Sequence, residues 1–178
     1  MAEVTYEEIK FSEKPPITME KKQIRFGMIN GREAAIKTWV NDNGGGQPEE
    51  ELAAYQKLRE TDLLEFTPEP LGLVKNGQGK ITALAVEFRA GELLTVYETQ
   101  EKKPLIKEIV DGLEKAVLEV YHNGQGVALD YKMLEPDNLG FDGKGLWFCC
   151  CSLGAADKNY QATVKNMMDY LRKNFIRE

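Results

Sequence analysis

Two strand-turn-strand patterns, separated by a single helical pattern, constrain the fold of this chain more than any other feature of its sequence. The strands of the first pair are residues 23–26 and 34–40, and those of the second pair are residues 71–74 and 81–88. Asn30 and Gly31 supply the positive φ angles that a tight hairpin turn requires. Between the pairs, Pro48 and the glutamates after it favour the first turn of a helix. The sequence therefore predicts an α+β fold in which a small antiparallel sheet carries one helix.

Helical spacing of apolar residues dominates the second half of the chain. A short helix is predicted from Leu93 to Thr99, a longer one begins at Pro104, and a last one ends at Phe175. The inward positions of the two long helices are Leu105, Ile109, Leu113, Val117 and Val120, and then Val164, Met167, Met168, Leu171 and Phe175. We therefore expect a sheet part over residues 1–88 and a mostly helical part over residues 92–178.

Bulk composition argues against several classes of protein. The chain has 178 residues, of which 42% are hydrophobic and 29% charged, as is ordinary for a folded domain. A formal charge of -6 argues against nucleic-acid binding, and Lys21, Lys22 and Arg25 are interpreted as part of a solvated strand face. No apolar run has the length of a signal peptide or a membrane span. We therefore expect a cytoplasmic protein with no nucleic-acid and no membrane partner.

The three cysteines of the chain are adjacent, from Cys149 to Cys151. This spacing gives neither a disulfide framework nor a metal-binding or redox CxxC motif. A buried strand from Leu146 to Cys151 with alternating side chains explains them, and their apolar neighbours argue against a reactive thiolate. We expect these residues to be structural.

Several stretches resemble elements of protein kinases, and they follow one another in kinase order. Residues 34–37 resemble the Val-Ala-Ile-Lys element, whose lysine holds nucleotide phosphates. The next helix resembles the one that carries the lysine's acidic partner, so the resemblance implies an ion pair between Lys37 and Glu51. Residues 84–88 resemble the strand that leads into the kinase hinge. There the backbone at Glu87 would bond the adenine of ATP, the candidate cofactor.

The resemblance continues into the second half and covers roughly residues 23–156. Residues 134–142 resemble the Leu-Lys-Pro-Glu-Asn stretch of the kinase catalytic loop, which makes Asn138 a candidate ligand-binding residue. Ser152 stands where kinases place the aspartate of their Asp-Phe-Gly motif. The resemblance implies a protein kinase-like fold, with a small antiparallel sheet lobe and a reduced, mostly helical second lobe.

The residues that would transfer phosphate are mostly replaced. A gap-free match puts Met133 at the position of the catalytic acid, and a thioether cannot accept the proton of a substrate hydroxyl. A second match, with a three-residue insertion, keeps Asp130 there as a reserve catalytic acid. Ser152 lacks the charge that Mg²⁺ prefers in its ligands, so we expect no metal site. Residues 11–18, in place of the glycine-rich loop, contain two prolines and no glycine.

Three hypotheses about function remain open at this point. The resemblance implies a pseudokinase, a catalytically impaired binding or regulatory scaffold whose partner is a protein or a second copy of the chain. The second hypothesis is a divergent, active ATP-dependent phosphotransferase that uses Asp130 as base and Asp142 or Asp157 as metal ligand. The third is an α+β interaction module unrelated to kinases. Because the chain ends about one helix after Gly154, we expect the peptide-docking platform of a full kinase to be absent.

Overall fold

The computed structural model describes residues 4–18, 22–39, 47–122, 128–154 and 158–177. The strands are β1 (Val4–Thr5), β2 (Lys10–Phe11), β3 (Ile17–Thr18), β4 (Lys22–Ile29), β5 (Arg32–Trp39), β6 (Pro70–Lys75), β7 (Ile81–Glu87), β8 (Glu92–Leu93), β9 (Ala128–Leu129), β10 (Leu139–Phe141), β11 (Leu146–Phe148) and β12 (Leu153–Gly154). The helices are α1 (Pro48–Arg59), α2 (Leu94–Thr99), α3 (Lys107–His122) and α4 (Tyr160–Phe175). Lys21, named above with the basic strand residues, and Asp157, named above as a candidate metal ligand, lie outside the described residues.

The chain divides into two compact units. The first unit comprises Met1–Gln56 and Pro68–Phe88, and the second comprises Lys57–Thr67 and Arg89–Glu178. Both units mix strands and helices, so the α+β class is confirmed. The assignment of residues 1–88 and 92–178 to two kinase-like lobes stays a prediction.

The first unit is built on one curled sheet. Its strands follow the order β1-β6-β7-β5-β4-β2, with β3 also pairing with β4, and all pairs are antiparallel except β1 with β6. The predicted first hairpin is confirmed as β4 and β5, with Asn30 at φ 51° and Gly31 at φ 79° in its turn. The second is confirmed as β6 and β7. Strand β5 therefore lies inside the sheet, with a neighbour on each side.

One face of this sheet carries an apolar core, and the other face carries Lys37. Strand side chains alternate between faces, so on β5 Ala34 and Ile36 belong to one face while Lys37 points to the opposite one. Lys37 lies beside Ile24 of β4 and Leu84 of β7 in the register of the sheet. The buried members of the core are Val4, Ile9, Ile29, Ala34, Ile36, Val74, Ala83 and Ala85.

The second unit packs its two long helices against each other and against short strands. Strands β8, β10 and β11 form one small antiparallel sheet, and β9 pairs with β12. Gly91 precedes β8 with φ at 107°, and a Cβ there would lie 2.1 Å from the carbonyl oxygen of Phe141. Glycine is needed at this position because both the backbone angle and the space exclude a side chain. The inner face of α4 buries Tyr160, Val164, Met168, Leu171 and Phe175, while Met167 is half-buried.

Two sequence predictions are wrong in this unit. Helix α3 begins at Lys107 rather than at Pro104, because Leu105 is extended and forms a parallel bridge with Ile176. The buried face of α3 accordingly consists of Val110, Leu113, Ala116, Val117 and Val120. The strand predicted through Cys151 ends at Phe148. The amide of Cys149 still donates to the carbonyl of Asn138 at 2.8 Å, so pairing with the segment before β10 extends by one hydrogen bond beyond Phe148.

Cys149 and Cys151 are buried and Cys150 is half-buried, and all three carry thiols rather than disulfides. Among the described helices, none has the length and apolar character needed to cross a lipid bilayer.

Candidate functional site

Lys37 and Glu51 form a buried ion pair in the first unit. The Lys37 ammonium lies 2.7 Å from Oε1 of Glu51, and their side chains are 1% and 4% exposed. Lys37 also donates to the hydroxyl of Tyr55 at 2.6 Å. Strand β5 and helix α1 bring these residues together, because Glu51 and Tyr55 lie one turn apart on the same face of α1. The ion pair that the kinase resemblance implied is present, although the use of these residues in binding ATP stays a prediction.

Lys22 is a second partner of Glu51, and the interpretation of its strand as a solvated face is wrong at this residue. Its ammonium contacts Oε2 of Glu51 and lies 5.0 Å from the ring centre of Trp39. Burial alone would raise the pKa of Glu51, but attraction to Lys37 and Lys22 and the hydrogen bonds they donate hold this pKa below its ordinary value. Glu51 is therefore ionised at neutral pH.

A sequence signal for Lys22 existed in the strand register. Ile24 is the residue opposite Lys37, and Lys22 is two positions from Ile24, on the same face. Diagonal neighbours at this distance are within reach of a long side chain. The sequence motifs named only the pair of Lys37 with Glu51, so Lys22 and the hydroxyl of Tyr55 were missed.

Asp130 is fixed at the start of a short 3₁₀ helix, Tyr131–Leu134, in the second unit. One carboxylate oxygen accepts the amide of Lys132 at 3.1 Å, and the other accepts the hydroxyl of Ser152 at 3.2 Å. The amide of Asp130 donates to the carbonyl of Ser152 at 3.2 Å. Asp130 and Ser152 are thus adjacent, each holding the other in place.

Met133, the alternative residue for the catalytic position, faces the interior. Its side chain is buried, with 2% of the residue exposed, and its sulfur accepts the amide of Ser152 at 3.0 Å. Asp130 is half-buried and offers a carboxylate, whereas Met133 offers only a sulfur that accepts the backbone amide of Ser152. Ser152 therefore joins both candidate residues through separate atoms.

A buried tyrosine supports this loop from the last helix. The hydroxyl of Tyr160 accepts the amide of Leu129 at 3.0 Å, directly before Asp130. Burial raises the pKa of Tyr160 to about 12. The negative charge of Asp130 also raises this pKa, whereas the hydrogen bond from Leu129 lowers it. The hydroxyl therefore stays protonated at any ordinary pH.

The remaining predicted residues are engaged in local structure. Asn138 donates its side-chain amide to the carbonyl of Lys132 at 3.0 Å and to the carboxylate of Asp137 at 3.3 Å. Glu87 donates its backbone amide to the carbonyl of Glu69 at 2.7 Å, and its carboxylate accepts the amide of Glu69 at 3.2 Å. The amide that would bond an adenine ring at Glu87 therefore already has a partner in the sheet.

Comparison with known proteins gives one kind of likeness. No protein-family model matches the sequence, and no curated protein matches it. Among solved structures, the chain resembles the apo structure of a pseudokinase, with a TM-score of 0.56 and 11% sequence identity. The likeness covers 88% of this chain and 64% of the other, so the chain spans less than two thirds of that neighbour. The fold resembles that of a pseudokinase.

Two groups of predicted residues are found within this kinase-like fold. Lys37 and Glu51 meet in the first unit. In the second unit Asp130, Met133 and Ser152 are joined to one another by hydrogen bonds. That the two groups line one cleft stays a prediction.

Metal ligands are scarce in both groups. In the described ranges, no three or more His, Cys, Asp or Glu side chains are placed to hold a metal ion. Asp142, the other candidate ligand, accepts the amides of Lys144 at 2.8 Å and Gly145 at 2.9 Å within a turn. Burial opposes its ionisation, but these hydrogen bonds outweigh it and hold the pKa of Asp142 below its ordinary value.

Proposed function

We propose that this protein is a pseudokinase-like scaffold that binds or regulates a protein partner and does not transfer phosphate. The observation that carries the proposal is the hydrogen bond between Asp130 and Ser152. A kinase needs a charged metal ligand at the position matched by Ser152, and here a neutral hydroxyl stands there and donates to the carboxylate of Asp130. The resemblance to a pseudokinase fold supports a role in binding a partner, because the fold is retained although residues that kinases need for phosphate transfer are replaced.

The argument rests on what phosphoryl transfer requires. Divalent metal ions bridge the phosphates and neutralise the charge that develops on them. Mg²⁺ is held through carboxylates, and one carboxylate that already accepts two hydrogen bonds is a poor substitute for a metal site. Asp130 and Ser152 therefore do not fit the Mg²⁺ that accompanies ATP in kinases.

Lys37 and its neighbours support a residual response to anions. Lys37, Lys22 and Glu51 together carry one more positive than negative charge, in a setting where burial strengthens electrostatic interaction. A phosphate near Lys37 would compete with Glu51 for its ammonium. Binding of a nucleotide without Mg²⁺ would therefore act on helix α1 through Glu51, which is the regulatory form of the proposal.

The hypothesis of an active phosphotransferase requires a displaced carboxylate to hold the metal. Asp142 lines a cavity of about 380 Å³ in the second unit together with Glu65, Arg89 and Glu108, and neither Asp130 nor Ser152 lines that cavity. The carboxylate of Asp142 also accepts the amides of Lys144 and Gly145 in a turn, so it is already engaged. The observations therefore favour the scaffold over this alternative.

Calorimetric titration with ATP, in the presence and absence of Mg²⁺, tests the proposal. We expect the same affinity in both buffers, because Ser152, at the position matched to the metal ligand of kinases, carries no charge. Lys37→Gln is the variant that reports on the phosphate contact, and Lys115→Gln, an exposed lysine on α3, is the matched control. ATP affinity that rises about tenfold or more with Mg²⁺, a difference of about 1.4 kcal/mol, would contradict the proposal.

A further inference from the structure

A basic cavity lies on the second unit, away from the residues discussed so far. Its volume is about 340 Å³, and the residues that line it are Lys103, Lys107, Arg172, Lys173, Ile176 and Arg177. Five of these six side chains are cationic, on a chain whose formal charge is -6. Arg172 and Lys107 are paired with acidic side chains of α3 and α4, whereas Lys103, Lys173 and Arg177 make no ion pair within the described residues. We infer that this cavity is a binding site for a phosphate monoester, of the kind carried by a phosphorylated peptide.

Backbone pairing holds the two walls of the cavity together. The segment before α3 and the segment after α4 form a parallel bridge between Leu105 and Ile176. The amide of Leu105 donates to the carbonyl of Phe175 at 2.9 Å, and the amide of Arg177 donates to the carbonyl of Leu105 at 3.2 Å. Leu105 and Phe175 are fully buried. Arg177 therefore projects from a paired backbone, which lowers the entropic cost of binding.

Arg172 forms the inner wall and is neutralised by the protein itself. Its guanidinium binds Asp111, Glu114 and Asp169, of which the contact with Asp111 is 2.7 Å and that with Asp169 is 3.1 Å. These bonds raise the pKa of Arg172 above its ordinary value, chiefly through the hydrogen bond to Glu114. Arg172 therefore joins α4 to α3 beside the cavity and is not counted among the cations that an external anion would meet.

The other four cations are available to an external anion. Lys107 lies 3.8 Å from Asp111, which Arg172 already engages, and its side chain is 72% exposed. Lys103, Lys173 and Arg177 make no ion pair with any part of the chain that the structure describes, and all three are exposed. None of the lining residues is acidic. Glu108, the acid in the first turn of α3, lines the other cavity instead.

A phosphate monoester matches this arrangement better than a carboxylate does. It carries a charge of about -1.5 to -2 and three acceptor oxygens, which several converging lysine and arginine donors can bind at once. The first residue of α3, Lys107, also brings the positive end of that helix to the cavity. Ile176 is half-buried and offers the neighbouring peptide residue an apolar contact.

A phosphorylated peptide is favoured over an anionic membrane. Membrane binding uses charges spread over a flat face, whereas these cationic side chains border a concavity. The net charge of the whole chain is negative, so an anionic bilayer would repel most of its surface. This inference uses none of the residues of the proposed function, and it stands even if the protein proves to transfer phosphate.

Two-dimensional amide NMR of the intact chain, titrated with a capped phosphoserine, tests the site. The capped serine without phosphate is the ligand control. We expect saturable shifts of the amides at Lys103, Lys107, Ile176 and Arg177 with phosphoserine and none with serine. A Lys173→Gln/Arg177→Gln variant should bind phosphoserine about tenfold or more weakly, because two charge-assisted hydrogen bonds are lost.

A charge-matched variant and vesicles complete the experiment. Lys115→Gln/Lys165→Gln removes two exposed lysines elsewhere on α3 and α4 and should leave the affinity unchanged, with circular dichroism confirming that both variants fold. Equal weakening in both variants would show a diffuse charge effect and overturn the inference. So would shifts outside the cavity, no shifts at all, or binding to phosphoinositide vesicles through these lysines without binding to phosphoserine.

Discussion

The ammonium of Lys37 lies 2.7 Å from a carboxylate oxygen of Glu51, and both side chains are almost completely buried. Removing two charges from water costs several kcal/mol per ion, which their attraction and hydrogen bonds must offset. The phenol of Tyr55 and the ammonium of Lys22 supply those additional bonds. The pair therefore fixes the position of helix α1 on strand β5.

Replacing Lys37 by Met should destabilise the protein more than replacing Lys22 by Met. Lys37→Met removes the more buried cation together with the hydrogen bond that it donates to Tyr55, so we expect a loss of about 3 kcal/mol. Lys22→Met should cost about 1 kcal/mol, because Lys37 still neutralises Glu51 and Lys22 is 21% exposed. Urea denaturation of both variants measures the two values. Equal losses, or a more stable Lys37→Met protein, would show that the buried pair does not position α1.

Stability should fall in acid partly through Glu51. Its pKa is lowered in the folded state, so below the ordinary value of 4.5 the unfolded chain takes up a proton that the folded chain resists. The contribution of Glu51 is therefore complete above about pH 4.5 and is lost as the pH falls through the folded-state pKa. Glu51→Gln should be less stable at neutral pH and show a flatter decline in acid. Glu49→Gln, at an exposed position on α1, should keep the wild-type profile, and matching profiles for all three proteins would refute the assignment.

Restoring a carboxylate at Ser152 should create a metal response. The Ser152 hydroxyl is 3.2 Å from the Asp130 carboxylate, so Ser152→Asp places two negative charges side by side. We expect a loss on the order of 1 kcal/mol without metal, and recovery of the melting temperature with Mg²⁺. Ser152→Asn is the neutral control and should show no dependence on Mg²⁺. A wild-type protein that Mg²⁺ already stabilises would argue that a metal site exists at another carboxylate.

The sequence was most informative where a local rule determines the structure. Asn30 and Gly31 predicted the first hairpin because few other residues adopt φ angles of 51° and 79° without strain. Pro48 correctly marked the start of α1. The resemblance to kinases supplied the partner of Lys37, which no local pattern in the sequence could have indicated.

Long-range pairing explains what sequence reasoning missed. Leu105 was assigned to α3 by its spacing, but its backbone bonds go to Phe175 and Arg177, seventy or more residues away in the chain. Similarly, the interpretation of Lys22 as a solvated strand residue was wrong because the strand register indicates only its nearness to Lys37, whereas the contact with Glu51 also depends on the packing of α1. The sequence left Asp130 and Met133 as rivals, and burial of the Met133 side chain is a tertiary property.

Helix α4 should be essential for a stable second unit. Phe175 and Leu171 are fully buried on its inner face, so Phe175→Ala should cost about 3 to 5 kcal/mol. Deleting the chain from Asn159 onward should give an aggregating protein, because the apolar surface under α4 becomes exposed. Lys165→Ala, at an exposed position of the same helix, is the control for thermal melting. A soluble deletion variant with unchanged melting would show that α4 is dispensable.

Phosphate transfer itself is the most direct test of the account. The measurement is release of phosphate from ATP with Mg²⁺, alone and with a panel of protein acceptors, for the wild type and Asp130→Asn. The account predicts no turnover above buffer for either protein, because Ser152 is neutral and the carboxylate of Asp130 is held by its neighbours. Mg²⁺-dependent turnover by the wild type that Asp130→Asn abolishes, with the fold intact, would contradict it.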